Sequence, residues 1–199
     1  MVAGMSLAVL LIVLSIFMSL RKSTISQKIL DFRKQKNHYF RTSIDSPVPD
    51  KENFPGLNYY LPDDKYKVQA TLMLLKDTVP LTILRSDGRE EQYSRFAKAY
   101  FTLENRQFNL TLLKIIQNPV DENILFVPFA DKTNGIETYG GGRYLDVKFK
   151  SEKKIALDFN LAYNPYCSYN YKFSCPLPPK ENFLDIEIQA GEKLFANNE

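Results

Sequence analysis

RFAKAYFTLENRQFNLTLLKII, residues 95–116, decides the fold. Two runs rich in leucine, phenylalanine and other strand-favouring residues flank the short polar break ENR, which reads as two strands joined by a turn. The same signals recur on both sides. KVQATLML (67–74) and PLTILR (80–85) are separated by the turn-like KDT, and RSDGREE (85–91) turns through Asp87-Gly88. NILFVPF (123–129), RYLDVKF (143–149), KIALDFNLA (154–162) and FLDIEIQA (183–190) follow. About eight strands with short connections predict a mainly β domain, an antiparallel meander closed into a barrel or folded into a sandwich.

The chain before residue 46 reads differently. Val2–Leu20 is apolar apart from Gly4 and three serines. Residues 1–20 span roughly 30 Å as a helix, enough to cross a bilayer. No Lys or Arg precedes the run and SIFMSL has no A-x-A pattern, so an uncleaved anchor is preferred over a signal peptide. Thr24-Ile25-Ser26-Gln27 reads as a capping box opening a second, amphipathic helix. Ile25, Ile29, Phe32 and Phe40 fall at helical spacing, with Lys28, Lys34 and Lys36 among the polar positions. Pro47 and Pro49 end it. The expected organisation is a transmembrane anchor (1–22), an amphipathic helix (23–45) and an antiparallel β domain (46–199).

Charge is unevenly spread. Residues 21–41 carry seven Lys/Arg and one Asp, whereas residues 42–199 carry nineteen Lys/Arg and twenty-two Asp/Glu. The basic cluster suits anionic lipid headgroups, and the mildly acidic remainder argues against a nucleic-acid surface. The expected partners are therefore a membrane, through residues 1–22, and a small-molecule, glycan or protein ligand. The positive-inside rule puts the domain in the cytoplasm, while the cysteine pair points to an oxidising compartment.

Familiar catalytic patterns are missing: no G-x-S-x-G, no Walker loop, no H-E-x-x-H. The only histidine, His38, lies on the helix, far in sequence from Cys167 and Cys175. Two cysteines eight apart and one distant histidine make no recognisable zinc set. Neither a metal nor a cofactor is expected. Gly140-Gly141-Gly142 before Arg143 reads either as a backbone nest for an anion or as a strand start needing positive φ. Six of the twelve tyrosines lie between 139 and 171, interleaved with Asn160, Asn164 and Asn170. That composition suits a binding rim or a tyrosine-rich loop closing one end of the barrel. Cys167 and Cys175 are a candidate disulfide if the domain is exported, the alternative being a pair of buried thiols in a reducing compartment; closing that span stabilises by roughly 2.5 kcal/mol in the chain-entropy model.

LFVPFADKTNGIETYGGGRYLDV (125–147) and LDFNLAYNPYCSYNYKFSCPLPPKENFLDIEIQAGEK (157–193) resemble the signature of the bacterial and archaeal family named domain of unknown function 1684. SPVP (46–49) and FPGLNYYLPDDKYKV (54–68) are similar to its N-terminal half. The resemblance covers about residues 28–193 and implies no established activity. Because many members carry an export or anchor segment, it implies a domain outside the cytoplasm, the cytoplasmic side being the alternative. It concentrates a possible site at Asp131, Thr133, Glu137, Tyr139 and Arg143, then at Asp158, Asn160, Tyr163, Asn164, Glu181 and Asn182.

Strand parity adds Tyr144 and Asp146. Leu145, Val147 and Phe149 alternate with polar neighbours, as do Ile155, Leu157 and Phe159. If both sets face one core across a hairpin, 147 pairs with 157, Asp146 opposes Asp158 and Tyr144 opposes Asn160. Three functions remain: a membrane-anchored binding or interaction module with a Tyr/Asn/Asp-rich polar face, a carboxylate-dependent, hydrolase-like enzyme, and a structural envelope protein.

Overall fold

A computed structural model describes residues 7–76, 79–116 and 123–195. Within it the ENR break is a tight hairpin. Strands β3 (Glu90–Leu103) and β4 (Arg106–Ile115) pair antiparallel up to Leu103 opposite Arg106. Glu104 and Asn105 fill the two-residue loop at φ 49° and 59°, the backbone that matches the twist of the flanking strands. A register shift between Arg95 and Ala97 bends β3. It gives the strand two neighbours in succession, β2 (Leu81–Leu84) on its first part and β1 (Lys67–Leu74) on its second.

The order continues through β5 (Ile124–Asp131) and β6 (Arg143–Lys148) on one side and β7 (Lys154–Asp158) beyond β1 on the other. A two-residue strand, β8 (Phe183–Leu184), runs parallel to β5. The result is a nearly closed antiparallel barrel. Its interior is filled by Leu110, Leu112, Leu125, Val127, Phe129, Leu157 and Phe159, all fully buried. Each contributes about 1.5–3 kcal/mol of hydrophobic stabilisation. Leu113, on the outer face of β4, is buried in a second cluster with Leu81, Ile83, Tyr93, Phe126, Tyr144 and Cys175. The chain after β7 therefore forms an outer layer over the barrel wall.

Three expectations change. Residues 143–159 do not form a hairpin: β6 pairs with β5, so Asp146 opposes Phe126, and β7 pairs with β1, so Asp158 opposes Lys67. Parity was correct about the faces, since Leu145, Val147, Ile155, Leu157 and Phe159 are all buried. It does not choose partners. A 3-10 turn at Phe159–Leu161, whose Asn160 N–H donates to the Asp158 carboxylate, carries the chain onward. Tyr144 then bridges to Tyr163 rather than Asn160, with N···O distances of 2.9 and 3.0 Å.

FLDIEIQA is a strand only at its first two residues. Beyond Leu184 several of its carbonyls serve side chains instead of a neighbouring strand, as described below.

The N-terminal region is one helix, α1 (Leu7–Thr42), not two. Thr24–Gln27 lies inside it and opens nothing, because no Gly or Pro interrupts the backbone there. Residues 1–6 of the expected anchor lie outside the described residues, as do residues 77–78 of the KDT turn. Among the described residues no helix is long and apolar enough to cross a membrane, so the expected spanning segment is unsupported. Val9–Val13 are exposed. Further along α1, Ile29 and Phe40 are buried as expected, but Phe32 is 44% exposed and Arg33 is buried in its place. The inward face also carries Lys36 and Asn37. Part of the cluster expected to meet lipid or solvent therefore points into the protein.

Candidate functional site

Six of the polar residues singled out by the sequence, Asp131, Thr133, Arg143, Asn160, Asn164 and Asn182, lie in three buried assemblies. In the first, Arg143 and Asp131, both fully buried, pair at 2.8 Å. Gly142, at φ +88°, starts β6 and places Arg143 there; a Cβ at this position would lie 2.8 Å from the Phe129 carbonyl. Gly142 thus serves backbone geometry, and Arg143 is committed inward. Its guanidinium donates to the carbonyls of Ile188 at 2.8 Å and Glu192 at 3.3 Å, and to that of Ala190. Asp131 accepts from Thr133 Oγ1 at 2.6 Å and from the Ile188 amide at 3.2 Å, and Thr133 shares a hydrogen bond with Thr138. One ion pair anchors the C-terminal segment to the barrel.

The second assembly surrounds Glu192, also fully buried. Lys36 of α1 lies 2.7 Å away, Asn164 Nδ2 donates at 3.1 Å, and Tyr169 donates a short hydrogen bond. Burial and the adjacent Glu192 charge push the Tyr169 hydroxyl well above the ordinary tyrosine range, so it remains a donor. Arg33 adds bonds to the carbonyls of Tyr60 and Asn160 and stacks on Tyr59. Asn37 accepts from the Leu57 amide.

The third consists of asparagine staples. Asn182 accepts from the Thr111 amide and donates to the carbonyls of Thr111 and Pro128, joining β4 to β5. Asn160 does the same for both backbone groups of Asp63.

The remaining candidates are scattered. Glu137 accepts from Tyr60 at 2.9 Å and faces Lys193 at 3.3 Å. Asp158 lies 3.6 Å from Lys67, Glu181 lies 3.9 Å from Arg95, and Asp146 accepts from Tyr163 at 2.8 Å. Tyr144 donates to the Pro176 carbonyl. Each of these carboxylates has its own partner. Among the described residues no group of three His, Cys, Asp or Glu is placed to hold a metal ion.

A cleft of about 540 Å³ lies elsewhere, between residues 48–55 and 167–172 with Phe195. Its floor is aromatic: Phe54 and Tyr169 pack against Phe40 and Phe195 at centroid separations of 5.0–6.1 Å. Asp50, Asn53, Asn170 and Lys172 supply polar groups, and Tyr171 stands 90% exposed among the lining residues. Sequence reasoning found the tyrosine-rich wall of this cleft. It marked the other wall only at its ends, through SPVP (46–49) and the start of FPGLNYYLPDD (54–64), and did not join the two walls into one cleft.

Cys167 is half-buried on the cleft wall, and Cys175 is buried behind it. Both are free thiols here. The Cys167 amide donates to Cys175 Sγ at 3.2 Å, and the Tyr139 hydroxyl lies 3.6 Å from Cys167 Sγ. The hydrogen bond from Cys175 is the largest influence on Cys167, and together with that from Tyr139 it outweighs burial and lowers the Cys167 thiol to about 6. The same shared bond, followed by burial, pushes Cys175 up.

A family model described as "Protein of unknown function (DUF1684)" matches residues 51–193. A search of curated proteins finds no match. Among solved structures, the solution NMR structure of an uncharacterized protein of Haloarcula marismortui is similar, with 35% identity and a TM-score of 0.67. The alignment covers 87% of this chain and 96% of that one.

Proposed function

The chain belongs to the DUF1684 family, a family of unknown function, and from that premise we propose that it is a binding module for a small molecule seated in the cleft between residues 48–55 and 167–172. The exposed Tyr171 beside an aromatic floor carries this reading. A ring held 90% in solvent gains from covering an apolar ligand, and the cleft volume lies in the ordinary range for small-molecule sites. The ligand class is an apolar or aromatic body with hydrogen-bonding groups that reach Asp50, Asn53 and Lys172. The hydrolase reading draws less support, because Asp131 is buried against Arg143, and Glu137, Asp146 and Asp158 are engaged with Tyr60 and Lys193, Tyr163 and Lys67. A thermal-shift screen of uncharged aromatic fragments tests the proposal. Hits should lose their shift in Tyr171→Ala, a substitution of an exposed side chain. Hits that bind Tyr171→Ala as tightly as the wild type would place the ligand elsewhere.

The apolar start of α1 supports a second part of the reading, that this end of the helix holds the module at a lipid surface. Val9–Val13 present exposed apolar side chains at this end of the helix. Arg33, Lys36 and Arg41 are engaged with the protein, so attraction to anionic lipid falls to the remaining basic residues. Deleting residues 1–22 should abolish co-sedimentation with vesicles. Retention by neutral vesicles after that deletion would refute it.

A further inference from the structure

The two cysteines are arranged asymmetrically. Cys167 borders the cleft, whereas Cys175 sits behind it among Leu81, Ile83, Tyr93, Leu113 and Phe126. Hydrogen bonds hold both cysteines in place. The Cys167 amide points at Cys175 Sγ at 3.2 Å. The Cys175 amide donates to Ser86 Oγ at 3.2 Å, and its carbonyl accepts from the Ser86 amide at 2.8 Å. Tyr139, reaching over from the β5–β6 connection, sets its hydroxyl against Cys167 Sγ. Simple packing of two thiols requires neither an opening on the reachable side nor a hydroxyl donor aimed at that sulfur.

We propose that Cys167 and Cys175 form a thiol–disulfide exchange site that opens on the cleft and takes a low-molecular-weight disulfide as its oxidant. Cys167 is the attacking thiolate. It forms a bond to one sulfur of the small disulfide and breaks that disulfide's S–S bond, releasing one thiolate. Cys175 then gives its proton to solvent or to the released thiolate and attacks Cys167 Sγ, expelling the second small thiol. The balance is one protein dithiol plus one small disulfide, giving one protein disulfide plus two small thiols. The Tyr139 hydroxyl and the Cys175 thiol both stabilise charge on Cys167 before attack, consistent with its lowered thiol at about 6. Once Cys167 carries the mixed disulfide, the negative charge that held the Cys175 proton is gone, which frees Cys175 to resolve it. The site uses the cleft as its access path but needs no affinity for the ligand proposed above.

The full reduced chain is tested with hydroxyethyl disulfide and followed by intact-mass and peptide mapping. Wild type should lose a hydrogen pair and end with Cys167 joined to Cys175. Cys175→Ser should stop at a stable mixed disulfide on Cys167. Cys167→Ser should react on the order of 100-fold more slowly. A mixed disulfide trapped at Cys175, or equal rates in the two variants, would overturn the proposal. Wild type supplies a control that requires no substitution: iodoacetamide should label Cys167 ahead of Cys175, with a rate rising through about pH 6. A rate rising only near pH 8–9 would contradict it. Hydrogen peroxide oxidising Cys167 at limiting concentrations that leave hydroxyethyl disulfide unused would contradict the choice of oxidant. Loss of fragment binding in Tyr171→Ala with unchanged exchange chemistry separates this site from the ligand reading.

Discussion

Lys36 Nζ lies 2.7 Å from Glu192 Oε2, and this contact fastens the long N-terminal helix to the C-terminal segment. Glu192 is fully buried and Lys36 nearly so. Removing one partner leaves a buried charge, which costs about 3–5 kcal/mol in comparable pairs. Lys36→Met should lower unfolding stability in urea by about that amount. Lys36→Met with Glu192→Gln should lose less than the sum of the single substitutions, because both act on one contact. Additive losses would mean that the pair is not coupled.

The Arg143–Asp131 pair predicts a separation of stability from binding. Asp131→Asn should destabilise by about 3 kcal/mol or more, since Arg143 remains buried and still bound to carbonyls. Fragment affinity at a temperature where the variant is folded should stay within about twofold of wild type. Loss of binding with unchanged stability would return Asp131 to the site.

Gly142 predicts a local backbone cost. At φ +88°, with the Phe129 carbonyl 2.8 Å from the position of a Cβ, Gly142→Ala should cost about 2 kcal/mol or more by chemical denaturation. Gly88→Ala, at φ +83° but in open space, should cost less.

Glu137 predicts a pH effect of defined sign. The Tyr60 hydroxyl, and then Lys193, hold its carboxyl below the ordinary glutamate value of 4.5. A depressed carboxyl contributes stability that is present above the unfolded value and is lost as pH falls through the folded one. Tyr60→Phe should raise the Glu137 midpoint, read from its side-chain carboxyl NMR shift. An unchanged midpoint would show that the Tyr60 bond is absent in solution.

Much of the barrel was legible because inward positions alternate. β1, β2, β6 and β7 fall within the runs that the pattern marks; β4 and β5 overrun theirs by one and two residues, and β3 starts at Glu90, ahead of its run at Arg95 and at the end of the expected turn. Pairing was less legible. Parity turns Leu145 and Leu157 toward one core, yet only the three-dimensional course of the chain puts Tyr163 beside Tyr144 and Leu157 beside Val68. Residues 185–190 alternate like a strand but give four carbonyls to other groups, those of Asp185 to Arg106, of Ile186 to the Lys132 amide and of Ile188 and Ala190 to Arg143. Lys36 reads as one of the polar positions of the helix, and Arg33 falls in the basic cluster that suits lipid headgroups, because charge usually stays out of a core. Their partners, Glu192 and the Tyr60 and Asn160 carbonyls, come from distant parts of the chain and leave no local signal.

Of the residues that the family pattern marks, Asp131, Arg143, Asn160, Asn164 and Asn182 are buried and hydrogen-bonded to other parts of the chain. The cleft draws on Cys167, Tyr169 and Tyr171, which the tyrosine density indicated, and on Val48–Pro55, which no periodicity marks.

Backbone amide NMR of the ¹⁵N-labelled chain, titrated with the best-binding uncharged aromatic fragment, tests the central claim that the cleft is the site and the polar assemblies are scaffold. Shift changes should concentrate at residues 48–55 and 167–172 and leave Asp131, Thr133, Arg143 and Asn182 near their free positions. Changes centred on Asp131 and Arg143, with residues 167–172 unmoved, would contradict it.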